Sequence, residues 1–145
     1  MRAISYDTMY LLIVSCSQRK NDAPGTLPAI DRYDGPTFRT LRLLYRNKLI
    51  PSSLDIYIVS GKYGVIRWDE PLPFYDQRMD PSSRIAFDAR DELAELVKRP
   101  YEDVFVNMGR EYMSIFGDML ARAKKAEGRV GEKTSHMKRW ILSLW

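Results

Sequence analysis

Residues 9–14, Met-Tyr-Leu-Leu-Ile-Val, form an unbroken apolar run with β-branched members. Such a run predicts a strand buried on both faces, as in the middle of a parallel sheet. A second strand is predicted over Leu54–Ser60 and a third over 104–109, the latter closing in Asn107-Met-Gly109. Between them the period changes. Phe38, Leu41, Leu44 and Tyr45 share one helical face behind Pro36, a favoured first helical residue, and Pro51-Ser-Ser ends that helix. Ile85, Ala89, Leu93, Leu96 and Val97 make a second stripe, with Asp80-Pro81 as its N-cap and first turn and Pro100 beyond its end. Tyr112, Ile115, Phe116, Met119 and Leu120 make a third, and Met137, Trp140, Ile141 and Leu144 a last one after Gly128 and Gly131. Residues 18–35 and 65–80 read as two long polar loops rich in Pro, Gly and Asp, long enough to carry function.

Strands alternating with helices predict a single α/β domain over residues 1–145, a three-layer open sandwich around a mainly parallel sheet. The carboxyl ends of the strands would then share one edge, where ligands of such sheets bind. Three segments fall there: Ser15 to Lys20, Ser60 to Gly64 and Asn107 to Tyr112.

Composition changes this picture little. With 145 residues, 45% hydrophobic and 29% charged, the chain can bury a core without staples and needs no bilayer, so a cytoplasmic protein without a membrane partner is expected. The formal charge of +4 is compatible with a phosphate-bearing partner. Cys16 is the lone cysteine and His136 the lone histidine, which excludes an intrachain disulfide and a multi-histidine metal site; no metal or redox cofactor is implied. Ile13-Val14-Ser15-Cys16 also has the form of a lipoprotein cleavage box, but the apolar run is short, Asp7 precedes it and Arg2 alone supplies upstream basic charge.

The candidate chemistry gathers at the strand ends. Ser15, Cys16 and Ser17 can present backbone N–H groups and hydroxyls to an anion, and Lys20 adds charge or a nucleophilic amine; the plain alternative is a polar strand terminus with a solvated lysine. Cys16 reads better as a packed residue than as a nucleophile. Ser60-Gly61-Lys62-Tyr63-Gly64 lacks the spacing of a phosphate-binding Walker loop, leaving a glycine-bracketed turn in which Lys62 can meet phosphate and Tyr63 can stack on a base, or simply pack. Asp76, between Tyr75 and Arg78, is a candidate general base or stabiliser of a sugar cation, or simply a loop cap, and Arg78 can grip a phosphate or hold Asp76 in place. Tyr33-Asp34-Gly35 repeats the Tyr-Asp build. Asn107 can read a base edge through its amide or satisfy backbone groups. Lys124, Lys125, Arg129, Lys133, Lys138 and Arg139 form a basic tail able to follow a phosphate backbone, or a solvated helix face.

Ser15-Cys-Ser-Gln-Arg-Lys20, Tyr33-Asp-Gly-Pro-Thr-Phe38, Ser60-Gly-Lys-Tyr-Gly64 and Tyr75-Asp-Gln-Arg-Met79 together resemble a little-characterised bacterial and archaeal domain family. More distantly, Cys16-Ser-x-x-Lys20 is similar to the signature of the archaeosine synthase core domain, whose fold is like that of uracil-DNA glycosylases. That resemblance implies a uracil-DNA glycosylase-like fold and chemistry on a nucleobase in DNA or tRNA, with Lys20 in the place of the signature lysine. Ser15 stands where that signature has proline, and no Pro-Tyr-Ser follows Lys20, which sets the amidino-transfer reaction aside. The expected function is therefore a glycosylase-type or base-modifying enzyme. Its base would lie between Tyr63 and Tyr75, with Lys62 or Arg78 on phosphate and Lys20 or Asp76 at the reacting carbon. The alternatives are a non-catalytic nucleotide- or DNA-binding module, and an enzyme acting on free nucleotides.

Overall fold

The computed structural model describes residues 8–145; Arg2 and Asp7 lie outside them. Five strands form the main sheet: β1 (Tyr10–Ser15), β3 (Leu54–Ser60), β4 (Gly64–Arg67), β6 (Asp103–Asn107) and β7 (Lys124–Lys125). Their order is β4-β3-β1-β6-β7, parallel throughout except for β4, which pairs antiparallel with β3. A separate ribbon joins β2 (Leu27–Pro28) to β5 (Pro71–Leu72). The helices are α1 (Ala29–Arg32), α2 (Pro36–Arg46), α3 (Arg84–Val97), α4 (Arg110–Phe116) and α5 (Val130–Ser143), with a 3-10 turn at Gly117–Leu120 after α4.

The alternation of side chains along β1 divides the core. Leu12 and Val14 pack on one face with Phe38, Leu41 and Leu44 of α2 and Met137, Trp140 and Ile141 of α5. Leu11 and Ile13 face the other way, onto Ala89, Leu93 and Leu96 of α3 and Phe116 of α4. All four β1 residues are fully buried, as expected of a strand covered on both faces. The chain runs from β1 through α2 to β3, then through α3 on the opposite face to β6 on the other side of β1. The direction of winding thus reverses at β1, and a crevice opens beyond its carboxyl end.

Several local expectations are corrected. Residues 65–67 belong to β4, because Gly64 at φ +74 turns the chain back so that Val65 and Ile66 pair with Val59 and Ile58. The 18–35 segment contains β2 and α1. Asp80 holds a turn through Ser82, and Ser83 is the N-cap of α3, its Oγ accepting from the Ala86 N–H at 3.2 Å. Gly131 lies inside α5 rather than breaking it, Lys124 and Lys125 form an edge strand, and Tyr45 is 57% exposed instead of inward. No helix among the described residues is long and apolar enough to cross a membrane.

Candidate functional site at the carboxyl edge of the sheet

Two adjoining cavities occupy the crevice. The larger, about 650 Å³, is lined by the β1 end (Ser15 to Gln18), the start of α2 (Gly35 to Phe38), the β6–α4 junction (Asn107 to Tyr112) and the start of α5 (Gly128 to Val130, with Lys133). The smaller, about 270 Å³, is lined by Lys20, Asp76, Gln77, Arg78 and Met79. The two share Cys16, Ser17, Gln18, Glu111 and Tyr112 as a common wall.

Short side chains let these elements close on one another. Ser15 Oγ accepts from the Gly109 N–H at 2.9 Å, tying β1 to the N-cap of α4. Ser17 Oγ accepts from the Asp34 N–H at 3.2 Å and donates to the Arg19 carbonyl at 2.6 Å. Gly35, the N-cap of α2, lies so close that a Cβ there would come within 3.0 Å of Ser17 Cβ. Asn107, 6% exposed, forms the floor of the larger cavity. Its Nδ2 donates to Thr37 Oγ1 at 3.2 Å and approaches Met137 Sδ at 3.6 Å, and its Oδ1 has no hydrogen bond among the described residues. Cys16 Sγ and the Tyr112 hydroxyl, 2.9 Å apart, form the dividing wall.

Behind the smaller cavity stands a chain of buried hydroxyls. Ser60 Oγ accepts from the N–H groups of Lys62 and Tyr63 at 3.2 and 3.1 Å, fixing the turn, and meets the Tyr75 hydroxyl at 2.9 Å. Tyr75 in turn hydrogen-bonds Tyr33. Burial, then the neighbouring Cys16 sulfur, pushes Tyr75 up to about 12. Burial and the Tyr75 hydroxyl raise Tyr33 further, and burial with Cys16 raises Tyr112. These phenols stay protonated at neutral pH and serve as hydrogen-bond donors. The Lys20 ammonium sits 4.6 Å from the centre of the Tyr75 ring and donates to the Gln18 carbonyl at 3.3 Å; the Lys62 ammonium lies 5.7 Å from the same ring.

The expected site residues thus separate by position. Lys20, Asp76 and Arg78 come together around the smaller cavity, Ser15 and Asn107 line the larger, and Cys16 and Ser17 touch both. Tyr33 and Ser60 are fully buried and Tyr75 is 5% exposed, so they support the site from behind and offer a ligand almost no surface. Lys62 and Tyr63 line neither cavity. The rings of Tyr63 and Tyr75 meet edge to face with centres 5.3 Å apart, so there is no slot between them for a base. Gly64 is buried and makes the turn into β4.

Thr37 and Glu111 line the cavities and had no separate signal in the sequence. Of the expected basic tail, Arg129 and Lys133 line the larger cavity, and Tyr112, expected inward, stands at the junction of the two. Arg32 is fully buried and donates to the carbonyls of Asn21, Ala23, Gly25 and Leu72, clamping the loop beyond Lys20 onto β5. Among the described residues no group of three or more His, Cys, Asp or Glu side chains is placed to hold a metal ion.

The fold and crevice define an α/β domain with a mostly parallel sheet and a two-part cavity at its carboxyl edge. Residues 11–139 match the family of unknown function DUF6884, and the chain belongs to that family. No curated protein and no solved structure matches it.

Proposed function

We propose that the chain is a nucleic-acid base-processing enzyme of the glycosylase or base-modifying type, holding one base at the carboxyl strand ends. The observation that carries this reading is the pairing of two cavities across one wall. One is roomy, with the buried Asn107 amide on its floor; the other is small and charged, with Lys20 and Asp76 facing it. The Asn107 oxygen, without a hydrogen bond among the described residues, can accept from an exocyclic amine or ring N–H, and Val130, which is exposed, supplies apolar surface for a flat ring.

With the base in the larger cavity, the sugar carbon bonded to it falls at the Cys16–Tyr112 wall, beside Lys20 and Asp76. In N-glycoside cleavage the bond from that carbon to the base nitrogen breaks, its electron pair leaving with the base. Asp76 then stabilises the sugar cation and takes the proton of the water that adds to it. In base exchange Asp76 takes a proton from the Lys20 ammonium, and the freed amine attacks the same carbon as the bond to the base breaks, its electron pair leaving on the base. An incoming base then bonds to that carbon and displaces the lysine nitrogen, which keeps the electron pair of the broken bond. In both routes Arg78 holds a neighbouring phosphate.

The test is release or exchange of bases from modified and unmodified DNA and tRNA, followed by chromatography of the freed bases. Lys20→Ala or Asp76→Ala is expected to slow it by about 100-fold or more, the scale of a lost general base or nucleophile. Absence of any product, or full activity in both variants, overturns the reading.

A further inference from the structure

We infer that the substrate is a single-stranded polynucleotide crossing the mouth of the crevice, with the phosphates flanking the processed nucleotide held by arginines on two separate walls. This rests on the base-processing reading above and specifies the form in which the base arrives. On the α2 side, one carboxylate gathers three guanidiniums: Asp34 lies 2.7 Å from Arg42, 3.2 Å from Arg39 and 3.5 Å from Arg19. Arg42 is the enclosed one, its side chain 23% exposed and also donating to the carbonyls of Ile30 and Tyr33. It suffices to neutralise Asp34. Arg19 and Arg39, with side chains 74% and 51% exposed, therefore leave surplus positive charge in solvent. Neither arginine lines the larger cavity itself, but the Asp34 N–H bonds Ser17, and both Ser17 and Gly35 line it, so the carboxylate that gathers this charge is held next to the cavity wall.

The opposite wall repeats the arrangement with different elements. Arg110 at the start of α4 and Arg129 just before α5 line the cavity themselves, are exposed, and have no ion pair among the described residues. The acids on that side include Glu111, which shares the dividing wall, Glu127, exposed beside the cavity-lining Gly128, and Glu132, whose carboxylate accepts the Arg129 backbone N–H at 3.2 Å; none of them pairs with the Arg110 or Arg129 side chain among the described residues. A free nucleotide brings its phosphates to one place, whereas guanidiniums on two walls match phosphates on both sides of a base. The base must enter unpaired and unstacked, which costs least in a single strand.

Fluorescence anisotropy with labelled deoxythymidine and uridine dodecamers tests the inference, each titrated across a range of salt, with unlabelled thymidine monophosphate as competitor. Arg19→Gln/Arg39→Gln and Arg110→Gln/Arg129→Gln are each expected to flatten the slope of log affinity against log salt by about 1.4, near 0.7 per phosphate contact on a single strand. Lys98→Gln/Arg122→Gln removes the same charge at the other end of the sheet and is expected to leave the slope unchanged. The monophosphate is expected to compete at least about tenfold more weakly than either dodecamer, because it reaches fewer of these charges. Equal competition by the monophosphate, or equal flattening in the rim and control pairs, overturns the inference. Comparing the two dodecamers separates DNA from RNA. Rim-dependent strand binding without base release sinks the enzymatic reading and leaves this one standing; base release from free nucleotides without rim-dependent binding does the reverse.

Discussion

Tyr33 and Tyr75 have exchanged the role their sequence context suggests for one set by burial. A tyrosine in a Tyr-Asp loop at a ligand-binding edge reads as a contact residue, yet these two hydroxyls are spent on each other and on Ser60. The consequence is measurable. The chain has nine tyrosines, and a phenol in water ionises near about 10. Tyr75 is held up to about 12 by burial and the Cys16 sulfur, and Tyr33 and Tyr112 are raised as well. A folded-state pKa above the unfolded one stabilises the protein fully below the unfolded value, and that stability is lost as pH rises through the folded value. The window for Tyr75 therefore opens near 10 and closes near 12. Phenolate absorbance is expected to rise in two steps, the second accompanied by loss of circular dichroism. One step near the ordinary value with the dichroism intact would contradict this burial. Arg32 was illegible in the sequence for the complementary reason: arginine is read as a surface residue, and only the folded path of the 21–25 loop supplies the carbonyls that allow this one to be buried.

Among the elements, long periodic segments were legible and short ones were not. The apolar runs of β1 and β3 and the stripes of α2 and α3 fall where their patterns put them. The two-residue strands β2 and β5 have no period to read, and each holds a proline, which argues locally against pairing; they form because α1 and the Arg32 clamp bring their backbones together. The loop bearing Asp76 and Arg78 is likewise positioned by something a local pattern does not carry. Gly61 packs directly beneath it: a Cβ there would lie 2.6 Å from Met79 N, 2.8 Å from Arg78 C and 2.9 Å from Gln77 O. These neighbours are backbone, so the loop has to move to admit a methyl group. Gly61→Ala is expected to cost about 1–3 kcal/mol of stability, as overpacking does, and to speed hydrogen exchange at Arg78 and Met79 while leaving α5 protected. Wild-type exchange at those two amides would show that the loop holds its place without this contact.

At the scale of the whole molecule, one strand serves both faces of the sheet. Leu12 and Val14 belong to the core under α2 and α5, and Leu11 and Ile13 to the core under α3 and α4. The two cores are therefore not independent: neither can melt without exposing side chains of the strand that both require. The topology that places the crevice depends on the same strand, which is why the segment from Ser15 to Lys20 was legible as one wall of a site. Its partner at the β6–α4 junction was legible for the same reason, whereas the start of α5 was hidden because its approach depends on long-range packing. Tryptophan fluorescence distinguishes one core from the whole: of the three tryptophans, Trp140 lies in the α2–α5 core, Trp68 packs against it, and Trp145 is exposed with its indole N–H donating to the Leu49 carbonyl just beyond α2. Ile13→Ala removes a fully buried side chain from the opposite core, at an expected cost of about 2–5 kcal/mol. If β1 couples the faces, the urea midpoint monitored by tryptophan fluorescence should fall by the same amount as the midpoint monitored by far-ultraviolet circular dichroism, although the substituted residue faces away from the core that holds Trp140 and borders Trp68. A fluorescence midpoint that stays at the wild-type position while the dichroism midpoint falls would mean that the two faces unfold separately, and the crevice between them could not then be treated as one rigid site.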